Sequence, residues 1–398
     1  MCFLLTISGR KLGIMNFEFA TATRIIFGGG TVEQVGPLAI QAGSRAFVVT
    51  GKSPDRVQGL VEQLDRHSLP YCICSIDREP TVDRLSEAVN QARAFRSDLV
   101  IALGGGSAID SAKAIAAMLT NQGDLLDYLE VVGKGNPIQN RPVPFIAIPT
   151  TAGTGAEVTR NAVLTVAEQQ RKVSMRHAMM LPAIAIIDPI LTHSLPASTT
   201  ASTGLDALTQ VIEPFVSHLA NPVTDTFCRQ GITLAARSLE KAYENGQDAQ
   251  AREDMALASL FGGLALANAK LGAVHGFAGP LGGEIQAPHG AVCGRLLPYV
   301  VQVNYRALQE RQPTSPILSR FDELGRLLTG QVHSTATDAI DFLFSLCNKL
   351  HTNPLSDFGL IPAAIGAIAE KANNSSSMKG NPIELTTQEC HSILEMAL

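Results

Sequence analysis

Residues 98–113 read D-L-V-I-A-L-G-G-G-S-A-I-D-S-A-K. Asp98 to Leu103 is a near-continuous apolar run, the pattern of a strand buried on both faces, and it passes directly into three glycines. Gly104, Gly105 and Gly106 let backbone approach a phosphate closely. Ser107 can cap the helix that follows, whose free N–H groups and positive dipole end would face an anion. A Gly-rich turn with no ligand is the alternative, but the position between a strand and a helix favours a dinucleotide or phosphate site. The run departs from G-x-G-x-x-G, so it is not a standard Rossmann fingerprint.

Working outward, strand patterns at Thr23 to Phe27, Arg45 to Thr50 and Tyr71 to Ile76 alternate with helical patterns at Thr31 to Ala42, Asp55 to His67 and Leu85 to Phe95. That alternation predicts an open, parallel, Rossmann-like α/β sheet. A further strand, Val143 to Ile148, ends in P-T-T-A-G-T-G-A-E-V-T at 149–159. Its hydroxyls and bare N–H groups lie at a strand's C-terminal end, where such sheets bind ligands. Two loops of this kind on consecutive parallel strands predict one crevice. Lys172, in the strand-like R-K-V-S-M, is either a surface lysine or a group reaching a phosphate or ribose.

After Asp188-Pro189 the pattern changes to Ala- and Leu-rich helical periods: Ala201 to Phe215, Asn221 to Leu239, Ala251 to Leu271, Val292 to Tyr305 and Phe342 to Leu350. Glu310 to Pro316 and Asn373 to Pro382 read as loops. The expected organisation is an uncertain N-terminal extension at 1–14, with Met15 as an alternative start. An α/β domain at 15–190 and an all-α domain at 191–398 follow it. A chain of 398 residues is long for a single core.

Hydrophobic residues at 45% and charged residues at 17% exclude a disordered chain. A formal charge of −5 gives no electrostatic reason to expect nucleic acid or anionic lipid as a partner. The Cys2 to Ile7 run is too short for a signal segment, and no uncharged stretch is long enough to span a bilayer. Seven cysteines without C-x-x-C predict reduced thiols in a cytoplasmic protein, each read as a small buried hydrophobe.

The helical half contains A-V-H-G-F-A-G-P-L-G-G-E-I-Q-A-P-H-G at 273–290, a helix interrupted by tight backbone where His275 and His289 can point inward. Two polar histidines satisfied by carbonyls would be the ordinary reading. Asp206, in S-T-G-L-D-A-L-T-Q-V-I-E, favours another, because one carboxylate and two imidazoles are usual ligands of a divalent transition metal.

Together, G-G-G-S-A-I-D-S-A-K, P-T-T-A-G-T-G-A-E-V-T, D-P-I-L-T-H-S-L-P, T-G-L-D-A-L-T-Q-V-I-E and V-H-G-F-A-G-P-L-G-G with P-H-G resemble the iron-containing (group III) alcohol dehydrogenase family. The resemblance runs from about Phe17 to the C-terminal region. It implies the dehydroquinate synthase-like fold: a dinucleotide-binding α/β domain, a helical domain, and one divalent metal, Fe²⁺ or Zn²⁺, in the cleft between them. It also implies NAD(H)- or NADP(H)-linked interconversion of a small alcohol and a carbonyl compound, in a homo-oligomer such as a dimer. Residue by residue, it makes Asp206, His275 and His289 metal ligands. It places Gly105, Gly106, Ser107, Asp110, Thr150, Thr151, Thr154 and Lys172 against the dinucleotide.

Three positions depart from the family pattern. Gln210 stands where a fourth ligand, His, is expected; its i, i+4 spacing from Asp206 keeps it pointed at the site, and a Gln oxygen ligates more weakly, with harder cations. Gly279 stands where many members carry a proton-relaying His. Gly51 stands where NAD-specific members place an Asp for the ribose 2′-hydroxyl; with Lys52 and Ser53 beside it, this predicts that NADP(H) is accepted. Phe261, Leu264, Phe277 and Leu281 are either pocket wall or ordinary core, and Arg160 is the one arginine near the T-A-G-T-G loop. A metal-independent enzyme resembling maleylacetate reductase, a dehydroquinate-synthase-like lyase and a non-catalytic dinucleotide-binding paralogue are the rival readings.

Overall fold

The computed structural model describes residues 16–51, 54–76, 79–169 and 171–398; the N-terminal extension, Lys52 and Ser53 lie outside the described residues. The first half alternates strands β1 (Arg24–Phe27), β2 (Ala46–Thr50), β3 (Tyr71–Ser75), β4 (Leu99–Gly104) and β5 (Phe145–Pro149) with helices α1 (Val35–Ala42), α2 (Pro54–Arg66), α3 (Val82–Ala94) and α4 (Gly106–Thr120). A hairpin, β6 (Asn161–Val166) and β7 (Arg171–Arg176), precedes β8 (Ile184–Ile187).

Six strands form one parallel sheet in the order β1-β8-β5-β4-β2-β3, and β6 pairs with β7 separately and antiparallel. Every residue of β2, β4 and β5 is buried, as continuous apolar strands require when both faces are covered. From β2 the chain moves outward to β3, and from β4 it moves the other way to β5. The sheet therefore reverses between β2 and β4, the switch point where open α/β sheets bind ligands.

Nine helices complete the described chain: α5 (Ala197–Val216), α6 (Pro222–Glu244), α7 (Ala249–Ala269), α8 (Ala273–Glu284), α9 (His289–Arg311), α10 (Leu318–Thr329), α11 (Ala336–Lys349), α12 (Ile365–Asn373) and α13 (Thr387–Ala397). They enclose a separate core around Leu208, Phe215, Phe277 and Leu297. The structure adds β6, β8, α10, α12 and α13 to the elements read from sequence, carries α9 on to Arg311, and sets a short 3₁₀ turn at Met378–Gly380 within the expected loop. Leu264, Phe277 and Leu281 are core, and the Phe261 ring packs tilted against Phe227, centroids 5.4 Å apart. The two halves touch backbone to backbone at Gly155, whose φ of +57° and close approach to Gly263 on α7 leave no room for a side chain.

No single helix among the described residues is long and apolar enough to cross a membrane.

Candidate active site

A cleft of about 630 Å³ opens at the C-terminal ends of β2, β4 and β5. Gly51 follows β2, the G-G-G-S turn follows β4, and Thr151 and Thr154 follow β5. The two loops press together where the glycines lie: a Cβ on Gly105 would sit 3.3 Å from Thr151 Oγ1, and one on Gly106 would sit 3.1 Å from Thr154 Oγ1. Gly105 is the N-cap of α4, so Gly106 and Ser107 present unpaired N–H groups and the positive end of the helix to the cleft.

The opposite wall is the first two turns of α5, with Ser198, Thr199, Ser202 and Thr203, and the start of α9, with Pro288, His289 and Gly290. Asp206, Gln210 and Glu213 recur at i, i+4 and i+7 on one buried face of α5. His275 comes from α8. Gly290 lets α9 close onto α5, because a Cβ there would strike the Ser202 carbonyl.

Asp206 Oδ1 lies 3.2 Å from His275 Nε2 and 3.8 Å from His289 Nε2. Glu213 accepts from His275 Nδ1 at 2.6 Å and from the Val274 N–H at 2.7 Å. With Nδ1–H donating to Glu213, Nε2 is the ring nitrogen of His275 that faces Asp206. Cys293 Sγ completes the group at 3.8 Å from His275 Nε2 and 3.6 Å from His289 Nε2. Four donor atoms, from Asp206, His275, His289 and Cys293, all lie within 4.8 Å of one another.

Burial pushes the Asp206 carboxyl up, but His275, His289 and Gln210 outweigh it and hold the group below its ordinary range. Burial likewise raises the Cys293 thiol, and the two imidazoles bring it down overall.

The structure thus brings Gly51, Gly105, Gly106, Ser107, Thr151, Thr154, Asp206 and His289 onto one cleft, with His275 just behind. Several expected contacts fall elsewhere. Asp110 is turned away: it accepts from Val163 N–H at 3.0 Å and sits 3.5 Å from Lys113 Nζ, because the β6–β7 hairpin packs on that face of α4. Thr150 is buried, its N–H donating to the Gly104 carbonyl at 3.0 Å. Lys172 pairs with Glu79 at 3.0 Å, and it is Glu79 that lines the cleft. Arg160 is outside the lining, and Gln210 donates its amide to the Gly153 carbonyl at 3.1 Å.

Sequence reading missed Glu213 and Cys293. Each had a positional signal: Glu213 is two turns from Asp206, and Cys293 one turn from His289.

Comparison with known proteins places this geometry. The iron-containing alcohol dehydrogenase model matches residues 22–189, and the Fe-containing alcohol dehydrogenase C-terminal model matches 200–398. Alcohol dehydrogenase 4 of Saccharomyces cerevisiae is 34% identical over 344 residues, 86% of each chain. The 1,3-propanediol dehydrogenase of Klebsiella pneumoniae is 33% identical over 96% of this chain and 98% of its own. A crystal structure of 1,3-propanediol oxidoreductase superposes with a TM-score of 0.90 at 32% identity, covering 96% of this chain and all of the other. The chain belongs to the iron-containing alcohol dehydrogenase family, and with it to the oxidoreductases that act on CH–OH groups.

Proposed function

We propose that this protein is a metal-dependent, NAD(P)-linked alcohol dehydrogenase and aldehyde reductase acting on a small alcohol or carbonyl compound. The observation that carries the reading is the convergence of Asp206 and His289, with His275 just behind them, on one wall of a cleft whose other wall is a Gly-rich helix N-terminus. The donors fit a divalent ion: bonds of about 2.0–2.2 Å from a tetrahedral centre imply donor separations of about 3.3–3.6 Å, against 3.2 and 3.8 Å observed. When bound, such an ion supplies Lewis acidity toward the substrate oxygen.

The chain's own residues do the rest. Glu213 fixes the ring and tautomer of His275. The N–H groups of Gly106 and Ser107 bind the dinucleotide's phosphates, and Thr151 and Thr154 add hydroxyls. Gly51 presents open space to the cleft, which accommodates the 2′-phosphate of NADP(H). Gly279 brings no imidazole, and Ser198, Thr199 and Ser202 are the hydroxyl groups that α5 offers along the cleft for moving the proton. No arginine or lysine lines the cleft among the described residues, which disfavours phosphorylated or dicarboxylate substrates. Relatives named alcohol and 1,3-propanediol dehydrogenases support a small neutral substrate. We further read the protein as a homo-oligomer in the cytoplasm.

The test is a panel of small aldehydes with NADH and NADPH, run with metal-loaded and chelated protein. Reduction that disappears on chelation and returns with metal is expected. Full activity after exhaustive chelation, or cofactor binding without turnover, would overturn the reading.

A further inference from the structure

We infer that the fourth protein ligand of this metal site is the thiolate of Cys293, with Gln210 outside the coordination sphere. The inference rests on the metal reading given above and specifies which atoms hold the ion.

Geometry comes first. For zinc, bonds of about 2.0–2.1 Å to imidazole nitrogen and 2.3 Å to thiolate imply nitrogen–sulfur edges of about 3.5–3.6 Å in a tetrahedron. Cys293 Sγ lies 3.8 and 3.6 Å from the two imidazole nitrogens, and all four donors fall within 4.8 Å of one another. The placement is built by α9: His289 and Cys293 are separated by one helical turn and share a face, and Gly294 lets that turn pack against Leu205 on α5.

Gln210 is occupied differently. Its Nε2 donates to the Gly153 carbonyl at 3.1 Å, so its donor end is committed to that loop. Turning Oε1 to the same side would set two carbonyl oxygens against each other. A Cβ on Gly262 of α7 would lie 3.0 Å from the Gln210 Cβ, so the two helices run close at this point. The amide is thus held at Gly153, and its Oε1 is buried without a partner among the described residues.

One thiolate, two imidazoles and one carboxylate form a donor set that zinc accepts. Four protein donors leave chemistry open, because zinc expands to five-coordination.

The test uses Co²⁺ as a spectroscopic probe in the chelated, full-length protein. Wild type should show the near-ultraviolet charge-transfer band of a cobalt–thiolate bond. In Cys293→Ser the band should vanish, and Zn²⁺ affinity in a chelator competition should fall beyond the roughly 10–100-fold that loss of an outer-sphere partner costs. Gln210→Ala should keep the band and stay within that range. Co²⁺ bound by wild type without the band overturns the inference and leaves the metal reading standing; that arm needs no variant to fold. Affinity unchanged in Cys293→Ser overturns it as well. Wild type that binds neither ion overturns both.

Discussion

Glu213 and His275 are joined by a 2.6 Å hydrogen bond, and the same carboxylate accepts the Val274 N–H at 2.7 Å, so one side chain of α5 fixes both the ring and the backbone that carries it. The pairing leaves Nε2 free to face Asp206. It ties the helix bearing His275 to the helix bearing Asp206.

Glu213→Gln is therefore expected to do more than weaken a contact. An amide NH₂ turned toward Nδ1 would favour the opposite tautomer and protonate Nε2. Zn²⁺ affinity should drop roughly 10–100-fold, read by chelator competition, while the far-ultraviolet circular dichroism stays that of wild type. Unchanged affinity would show that the ring is held by packing alone.

Stability of the chelated protein should depend on pH through His275. Burial opposes charge on this ring, but Cys293 and the hydrogen bonds with Asp206 and Glu213 outweigh it and hold its pKa well above the ordinary value. A group whose folded pKa is raised contributes stability that is fully present below its unfolded pKa, about 6.5, and lost as pH rises through the folded value. The Tm of the chelated protein should thus fall as pH is raised above neutrality. The Tm gain on adding Zn²⁺ should grow over the same window, since metal and proton compete for the ring. A differential scan at several pH values, with chelator and with Zn²⁺, checks both slopes.

Gly51→Asp should discriminate between cofactors. Among the described residues a Cβ at Gly51 meets nothing within 4 Å, so the substitution adds a carboxylate at the cleft without a clash there. Repulsion of the 2′-phosphate should raise the KM for NADPH relative to NADH by about tenfold or more, the equivalent of about 1.4 kcal/mol. Steady-state kinetics with both cofactors decide it.

Gly155→Ala and Gly279→Ala should move stability in opposite directions. At Gly155 a positive φ combines with a Cβ only 2.5 Å from Gly263 Cα, and a loss of about 2–4 kcal/mol is expected. At Gly279, exposed and with nothing within 4 Å, alanine should add about 0.5–1 kcal/mol through helix propensity. Denaturant titration of both variants gives the signs.

What was legible in the chain followed the strength of its local signals. Asp98 to Leu103 declared a buried strand because apolar continuity ran straight into glycine, and the two loops on one crevice followed from that strand and the next. Ile184–Ile187 was silent: four apolar residues beside Asp-Pro fit a strand or a loop equally, and only pairing with β1 and β5 decides. Asp110 faces the β6–β7 hairpin, a long-range neighbour absent from any window around α4. Cys293 was passed over because a helical cysteine is usually a small hydrophobe, and its turn-spaced partner His289 gains meaning only once α8 and α5 close around it.

Helix α8 has four glycines and a proline among its twelve residues, and each interior glycine costs about 1 kcal/mol relative to alanine. Such a segment would not stay coiled on its own. It is pinned at its first turn by Asn381 and Glu213, which accept from the Ala273 and Val274 N–H groups. Ion uptake and the local order of this segment are accordingly one equilibrium. Amide hydrogen exchange should find in α8 an opening unit of the helical half whose protection tracks metal occupancy, so that affinity for the ion is in part a measure of how reluctantly twelve residues unwind.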